Sequence, residues 1–152
     1  MKTKWAHYSK FWLLLNKMKT NFYMHKKLNI SNISYGFFTK IGGFSNDNYA
    51  SLNCNYNTDN YKNMSQKNIN IAKKKLGLGK SKLKFISQIH SNQVVVVDKN
   101  NFSTSVKADG SITQDKDISL AVLTADCCPI FIYDSDINFI CCLHVGWKGC
   151  LL

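Results

Sequence analysis

The stretch that decides the fold runs from Thr124 to Gly149 and reads TADCCPIFIYDSDINFICCLHVGWKG. Ile130–Tyr133 and Phe139–Leu143 are short runs rich in β-branched and aromatic residues, and the polar sequence DSD follows the first of them. This pattern predicts a β-hairpin. Cys127 lies just before the first predicted strand and His144 just after the second. We therefore expect this thiol and this imidazole to meet at one end of the hairpin.

Outward from the hairpin, the sequence predicts a strand-rich domain with at least one helix, which is the α+β class. A rough apolar stripe predicts a helix from Met64 to Leu76, ended by Gly77. An uninterrupted run of valines is typical of a strand buried on both faces. We expect the ordered domain to cover residues 30–152, after a basic N-terminal arm over residues 1–29. Further strands are predicted at Ile33–Phe38, Leu83–Ile86, Val94–Val97 and Ile118–Leu123.

Composition narrows the possible functions. The chain has 152 residues, 45% of them hydrophobic, and a net charge of +11. These values are typical of a basic globular protein. Its basic residues are spread from Lys2 to Lys148 rather than gathered on one face, so no specific nucleic-acid partner is expected. The longest N-terminal apolar run, Phe11–Leu15, is too short for a signal-peptide core, and no other segment approaches membrane-spanning length.

Cysteine usage indicates a reducing compartment. Four of the six cysteines form the adjacent pairs Cys127-Cys128 and Cys141-Cys142. Neighbouring residues on a strand point to opposite faces, so such pairs do not close into disulfides. We expect reduced, buried thiols in a cytoplasmic protein.

Three residues could carry chemistry together: His90 after one predicted strand, Cys127 at the entry of another and His144 at the end of a third. Two imidazoles and a thiolate form a three-ligand zinc set with a fourth position open for water or substrate. The same residues are compatible with a Cys–His nucleophilic pair or with a copper site. A cluster of several coppers needs many histidines, and this chain has four, two of them, His7 and His25, in the arm.

Several motifs in this sequence resemble those of the YfiH-type family, whose members have long been labelled laccase-domain or polyphenol oxidase proteins. The segments Thr124–Pro129 and Leu143–Gly149 resemble the family's TADC-x-P and H-A-G-W-R-G motifs. The resemblance covers about residues 33 to 150. Its upstream part consists of Phe37–Ser45, Ala50–Asn53, Gln88–Ser91 and Ala108–Gly110, which resemble the family's R-x-GG-x-S turn, its following loop, its Q-x-H motif and its A-D segment.

The resemblance implies a fold and an activity. The fold is one of mixed β-sheets packed as a sandwich and flanked by helices. The activity is phosphorolysis of the glycosidic bond of adenosine, inosine or methylthioadenosine, with adenosine deamination beside it, so purine nucleoside and phosphate are the implied partners. The family's zinc ligands map onto His90, Cys127 and His144. Asp126 is expected to orient a ligand, and Lys40 to contact an anion where the family has arginine.

This sequence also departs from the family pattern. Lys40 and Lys148 replace arginines and lose their two-pronged geometry, and Cys150 stands where a small hydroxyl residue is usual. Family members continue well beyond the Gly-Trp motif, whereas this sequence stops at Leu152. We therefore expect strands without neighbours, and a separate chain that supplies the C-terminal part. Two alternatives stay open: a copper-dependent polyphenol oxidase, and a non-catalytic remnant with a structural metal site.

Overall fold

The structure is a computed structural model that describes residues 22–25, 32–56 and 62–151. The chain divides into two compact units, Met1–Gly79 and Lys80–Leu152. Most of the predicted arm, residues 1–29, lies outside the described residues, and the predicted boundary near residue 30 stays a prediction. Within that arm, Phe22–Tyr23 forms a short strand.

The described part of the first unit combines an α-helix and a short 3-10 helix with a small sheet. Strands β1 (Phe22–Tyr23) and β2 (Phe37–Phe38) pair antiparallel, and the Phe22 and Phe38 rings stack with centroids 5.1 Å apart. A short 3-10 helix follows at Asp47–Tyr49, and helix α1 runs from Lys62 to Lys75. The predicted strand over Ile33–Phe38 is thus confined to its last two residues.

Helix α1 confirms the predicted helix and ends where the sequence indicates. Gly77 has a φ of +65°, a conformation in which glycine carries no steric penalty. The Leu78 amide donates to the Lys73 carbonyl at 3.0 Å and the Gly77 amide to the Lys74 carbonyl at 3.2 Å. This pair of bonds is the Schellman arrangement, which satisfies carbonyls that the last helical turn leaves open.

The second unit holds two sheets. Strands β3 (Lys82–Phe85) and β6 (Ile118–Ala121) pair parallel, while a mixed four-stranded sheet has the order β4-β5-β8-β7. Strand β6 packs against β5 and β8 of that sheet. The strands of the larger sheet are β4 (Val94–Val96), β5 (Gly110–Thr113), β7 (Cys128–Asp134) and β8 (Phe139–Val145).

The hairpin that the sequence predicts is the longest strand pair among the described residues. Strands β7 and β8 pair antiparallel over seven positions, with Cys128 opposite Val145 and Pro129 opposite His144. His144 therefore lies inside its strand rather than just after it. Cys127 immediately precedes β7, as expected, so both side chains lie at the open end of the hairpin.

Two expectations about burial were wrong. Strand β4 is an edge strand that pairs only with β5 among the described strands, and Val94 and Val96 are 51% and 69% exposed. Val94 and Val96 lie on the same face of the strand, whereas Val97, which is 2% exposed, lies on the other. Hence the valine run is buried on one face only. Cys141 and Cys142 are buried as predicted, but Cys128 and Cys150 are exposed. All six cysteines are free thiols.

Candidate metal centre

The three residues singled out in the sequence meet at one end of the four-stranded sheet. Strands β4, β5 and β7 begin at this end and β8 finishes there, which gathers residues from four separate segments. One ligand atom from each of His90, Cys127 and His144 lies within 4.8 Å of the other two. The His90 Nε2 and Cys127 Sγ atoms are 3.9 Å apart, and the His90 and His144 rings meet edge to face at 4.9 Å between centroids.

This donor set fits a zinc ion in its chemistry. Two imidazoles and one thiolate suit zinc, and histidine and cysteine also bind copper. Donors around a tetrahedral zinc ion, with bonds of about 2.0–2.3 Å, are separated by about 3.5 Å. A contraction of about 1 Å would bring the three side chains to that spacing.

Asp109 fixes the two histidines. It directly precedes β5, is 3% exposed, and its Oδ1 atom accepts a hydrogen bond from His144 Nδ1 at 2.8 Å. The His144 amide donates to the Asp109 carbonyl at 2.7 Å, which continues the β5–β8 ladder by one residue. Because the His144 Nδ1 atom donates to Asp109, the Nε2 atom is the one available to bind a metal. This hydrogen bond sets both the tautomer and the orientation of the ring.

The same carboxylate shapes the loop that carries His90. It accepts the backbone N–H groups of Ile89, His90 and Ser91 at 3.2, 2.9 and 2.6 Å, and the Ser91 hydroxyl at 2.8 Å. His90 has a φ of +59°, in the left-handed region that few non-glycine residues adopt. This turn points successive N–H groups inward at one anion.

The charge of Asp109 is secured by these contacts. Burial alone would raise the pKa of its carboxyl, but hydrogen bonds from Ser91, His144 and His90 outweigh burial and hold the pKa well below its usual range. Asp109 is therefore an anion at neutral pH and an acceptor for His144.

Gln88 joins the His90 loop to the segment that leads into Cys127. Its Nε2 donates to the Leu123 carbonyl at 2.7 Å, and its Oε1 accepts the Leu123 amide at 2.8 Å. The side-chain amide thereby makes the same pair of hydrogen bonds with Leu123 that a backbone peptide group makes in a β-bridge. Gln88 lies two residues before His90, and Leu123 lies four residues before Cys127. Their contact therefore sets the distance between these two donors.

Gly146 allows the chain to pass close to the donors. A Cβ atom at this position would lie 2.8 Å from His90 Cδ2 and 3.4 Å from Cys127 Sγ. A larger residue would therefore push against both side chains. Gly149 approaches the Ser91 carbonyl in the same way, at 2.9 Å from its would-be Cβ.

Cys127 is held as a thiol by its surroundings. Burial raises the pKa of Cys127, and the negative charge and hydrogen bond of Asp126 raise it further. Its Sγ lies 3.7 Å from Asp126 Oδ1. A nearby cation would reverse this preference, because a thiolate is the form that binds metal.

The remaining predicted site residue, Lys40, lies in the first unit. Its side chain is exposed, and its carbonyl accepts the Ser51 and Leu52 amides at 2.9 and 2.8 Å. The Gly42 and Gly43 amides donate to Ser51 Oγ. These amides are therefore committed to hydrogen bonds within the turn.

Sequence reasoning missed Asp109, Ser91, Gln88 and Gly146 as residues that build the site. All four lay within motifs that carried the resemblance, but a carboxylate that binds a histidine leaves no spacing signal of its own. Its role depends on the pairing of β5 with β8, which brings residues 35 positions apart into contact.

Comparison with known families agrees with this geometry. The family described as multi-copper polyphenol oxidoreductase laccase matches residues 34–152. The chain belongs to this family.

Relatives of the chain carry a different label. A purine nucleoside phosphorylase of Corynebacterium glutamicum is 35% identical over 115 residues, which cover 74% of this chain and 47% of that protein. The purine nucleoside phosphorylase YlmD of Bacillus subtilis is 32% identical over 122 residues, 75% of this chain and 44% of the relative. The chain thus spans about half the length of these relatives.

Solved structures place the fold among the YfiH-like proteins. The Neisseria meningitidis protein NMB0706 aligns with a TM-score of 0.74 at 27% identity, over 86% of this chain and 52% of that one. YfiH of Bacillus licheniformis aligns with a TM-score of 0.66 at 27% identity, over 75% of this chain and 46% of its own. The predicted α+β fold with mixed sheets is confirmed.

Among the described residues, no helix is long and apolar enough to cross a membrane.

Proposed function

We propose that this chain forms the metal-binding part of a purine nucleoside phosphorylase, which cleaves adenosine, inosine or methylthioadenosine with phosphate and deaminates adenosine as a second activity. The observation that carries the proposal is the convergence of His90, Cys127 and His144 on one point. The names of the relatives supply the substrate class. We propose zinc as the metal.

The metal donors, the two aspartates and Lys40 have separate roles in this proposal. Zinc bound by the three donors would supply Lewis-acid chemistry that polarises substrate or activates water, the latter being what deamination needs. Asp109 keeps His144 oriented, and Asp126, 3.7 Å from the Cys127 sulfur, orients the thiol. The Lys40 ammonium contacts the phosphate or another anionic group.

Trp147 supports a purine substrate. Its ring is 68% exposed and follows directly after Gly146, the residue packed against His90 and Cys127. A flat aromatic surface beside the donors suits a purine base, since stacking of a base on an aromatic ring contributes about 1–3 kcal/mol. The Lys148 ammonium lies 5.5 Å from the centre of this ring and adds positive charge for phosphate.

The rival function is copper-dependent oxidation of phenols, which the family description names. A cluster of several coppers needs more imidazoles than four histidines in the whole sequence provide. A third reading is a site that binds metal as structure alone.

One experiment separates these readings. The purified chain is assayed for bound metal and incubated with adenosine and phosphate, while adenine, inosine and ribose 1-phosphate are followed. We expect adenine release that requires phosphate and is lost in Cys127→Ala. Cys128→Ala is the matched control, because that thiol is exposed and outside the donor set.

The other outcomes favour the alternatives. Dye oxidation that depends on added copper supports the oxidase, and a folded zinc protein inert towards both substrates supports a structural site. Equal loss of activity in Cys127→Ala and Cys128→Ala would contradict the assigned ligand.

We further propose that a separate polypeptide pairs with the outer edge of β7. Ile130 and Ile132 are 38% and 45% exposed on this strand, and an apolar edge strand is a template for strand addition. The extra length of the relatives suggests the partner.

Gel filtration with the C-terminal half of the Corynebacterium glutamicum relative tests this proposal. We expect the two polypeptides to co-elute. Ile132→Lys should abolish co-elution, whereas the control Ser135→Lys, in the turn, should not. Co-elution unaffected by Ile132→Lys contradicts the proposed edge.

We also propose that the protein resides in the cytoplasm. Six free cysteines and no disulfide suit a reducing compartment.

A further inference from the structure

A second exposed thiol lies beside the candidate metal centre. The turn after β8 returns the chain towards the donors, and the Cys150 amide donates to the Gly146 carbonyl at 3.1 Å. This i to i+4 bond is that of one helical turn, in which side chains four residues apart lie on the same face.

The face in question is turned towards the metal donors. The Cα–Cβ direction of Gly146 points at His90 Cδ2 and Cys127 Sγ, with would-be contacts of 2.8 and 3.4 Å. Because Cys150 follows one helical turn later, we expect its side chain on the same side of the turn. Its sulfur is not among the three converging ligand atoms, so binding requires the side chain to rotate towards them. Gly149 packs on the Ser91 carbonyl next to His90, so the turn is held against the site at two points.

The Cys150 thiol can turn towards the donors. Cys150 is free and exposed, so rotation of its side chain meets no covalent restraint.

We infer that Cys150 supplies a fourth protein ligand, which completes a His2Cys2 set with His90, Cys127 and His144. Three converging donors mark the metal position independently of Cys150, and zinc in proteins takes four ligands in a tetrahedron. The inference rests on the metal site of the proposed function and deepens it.

The added ligand changes what the site can do. Four protein ligands close the coordination sphere, as in structural zinc sites, whereas catalytic sites keep one position for water or substrate. Cys150 therefore holds the metal more tightly and competes with substrate. Activity requires its displacement, which makes this thiol a regulator of the proposed reaction.

Cobalt(II) reports the number of thiolate ligands directly. It is titrated into the full chain and into Cys150→Ser, Cys127→Ser and Cys128→Ser, and the near-ultraviolet sulfur-to-cobalt charge-transfer absorbance per bound ion is measured. We expect Cys150→Ser and Cys127→Ser each to lower this absorbance by about half, because one of two thiolates is lost. Cys128→Ser keeps the full absorbance. Zinc affinity, from competition with a chelating dye, falls at least tenfold in Cys150→Ser.

Zinc protection of thiols gives a second measurement on the unmodified chain. We expect zinc to slow iodoacetamide alkylation of Cys150, mapped by mass spectrometry, while Cys128 reacts equally with and without zinc.

A wild-type cobalt spectrum and zinc affinity in Cys150→Ser, or alkylation of Cys150 unaffected by zinc, overturn the fourth ligand and leave the three-ligand site standing. Failure of the wild-type chain to bind either ion overturns the metal site and the inference together.

Discussion

Asp109 holds both histidines of the candidate metal centre, one through its imidazole and the other through its backbone. Replacing it by asparagine keeps the shape but removes the charge and one acceptor. We expect Asp109→Asn to lower zinc affinity about 10–100-fold, the usual effect of losing a group that orients a ligand. The free energy of unfolding should fall by about 2–3 kcal/mol, because hydrogen bonds to a buried charged acceptor are lost.

Asp126→Asn is the matched control for this prediction. Asp126 also neighbours a donor residue, but its carboxylate is exposed. We expect an unchanged urea midpoint and a smaller loss of zinc affinity in the dye competition. If both variants bound zinc equally well, Asp109 would have no orienting role.

Asn68 is the corresponding polar centre of the first unit. Its side chain is fully buried on α1, accepts the Phe44 amide at 2.7 Å, and donates to the Ser51 and Asn53 carbonyls at 3.2 and 2.7 Å. Gly43 packs against the same oxygen, where a Cβ would approach within 2.6 Å. Asn68 thereby fixes the glycine turn that carries Lys40.

We expect Asn68→Ala to destabilise the chain by about 3 kcal/mol, because buried amide and carbonyl groups lose their partners. Asn70→Ala, two residues along the same helix, is the control. Asn70 is exposed and bonds Gln66, so its replacement should be neutral or slightly stabilising through higher helix propensity. Urea unfolding followed by far-ultraviolet circular dichroism measures both. Equal midpoints would contradict the role of Asn68.

The sequence predicted that His90, Cys127 and His144 meet because each lies where a predicted strand begins or ends, and the resemblance to the YfiH-type family implied Cys127 rather than Cys128 as the ligand. The sequence was insufficient for Cys128, which was expected to be buried and is exposed. Alternation along a strand says that neighbours face opposite sides, but which side is covered depends on what packs there. That information lies in the tertiary arrangement.

At the scale of elements, local signals were the reliable ones. The α1 helix and the β7–β8 hairpin were predicted because periodicity, Gly77 and the turn residues are properties of adjacent positions. The prediction for the valine strand was wrong because the face that Val94 and Val96 share is exposed. What covers a face, like the strand order β4-β5-β8-β7, is not a local property. Strand order is fixed by contacts between distant residues and leaves no local mark.

Strand β3 carries an unusual tether for the long loop after β4. Lys84 is 5% exposed, and its Nζ donates to the Phe102 and Thr104 carbonyls at 2.5 and 2.6 Å. Burial lowers the pKa of this ammonium. The two carbonyls compensate for its removal from water and anchor a loop that has little regular structure of its own.

We expect Lys84→Met to release this loop. Hydrogen exchange of residues 98–105 should accelerate, and unfolding should cost about 1–3 kcal/mol less, since two carbonyls lose their donor. Lys82→Met is the matched control, because Lys82 lies on the same strand and also approaches the Phe102 ring, at 5.7 Å against 5.5 Å for Lys84. Faster exchange in both variants would assign the effect to the ring contact.

At the scale of the whole molecule, the second unit contains every donor of the candidate centre and every group that braces it. Asp109, Ser91, Gln88 and Gly146 all fall within Lys80–Leu152. Among the described residues of this unit, six apolar side chains are buried: Ile86, Val97, Ala108, Ile118, Cys141 and Cys142. A core of this size stabilises a domain only marginally, and metal binding often supplies the difference.

We therefore expect a fragment of residues 80–152 to fold on binding zinc. Because the donors come together only in the folded chain, the free energy of metal binding contributes directly to folding. Circular dichroism should show little ordered structure after chelation and a sheet spectrum after one equivalent of zinc, reversed by excess chelator. The same fragment with Cys127→Ser should not respond. A fragment equally ordered with and without zinc would show that the sheets alone suffice and that the metal is bound by a scaffold already formed.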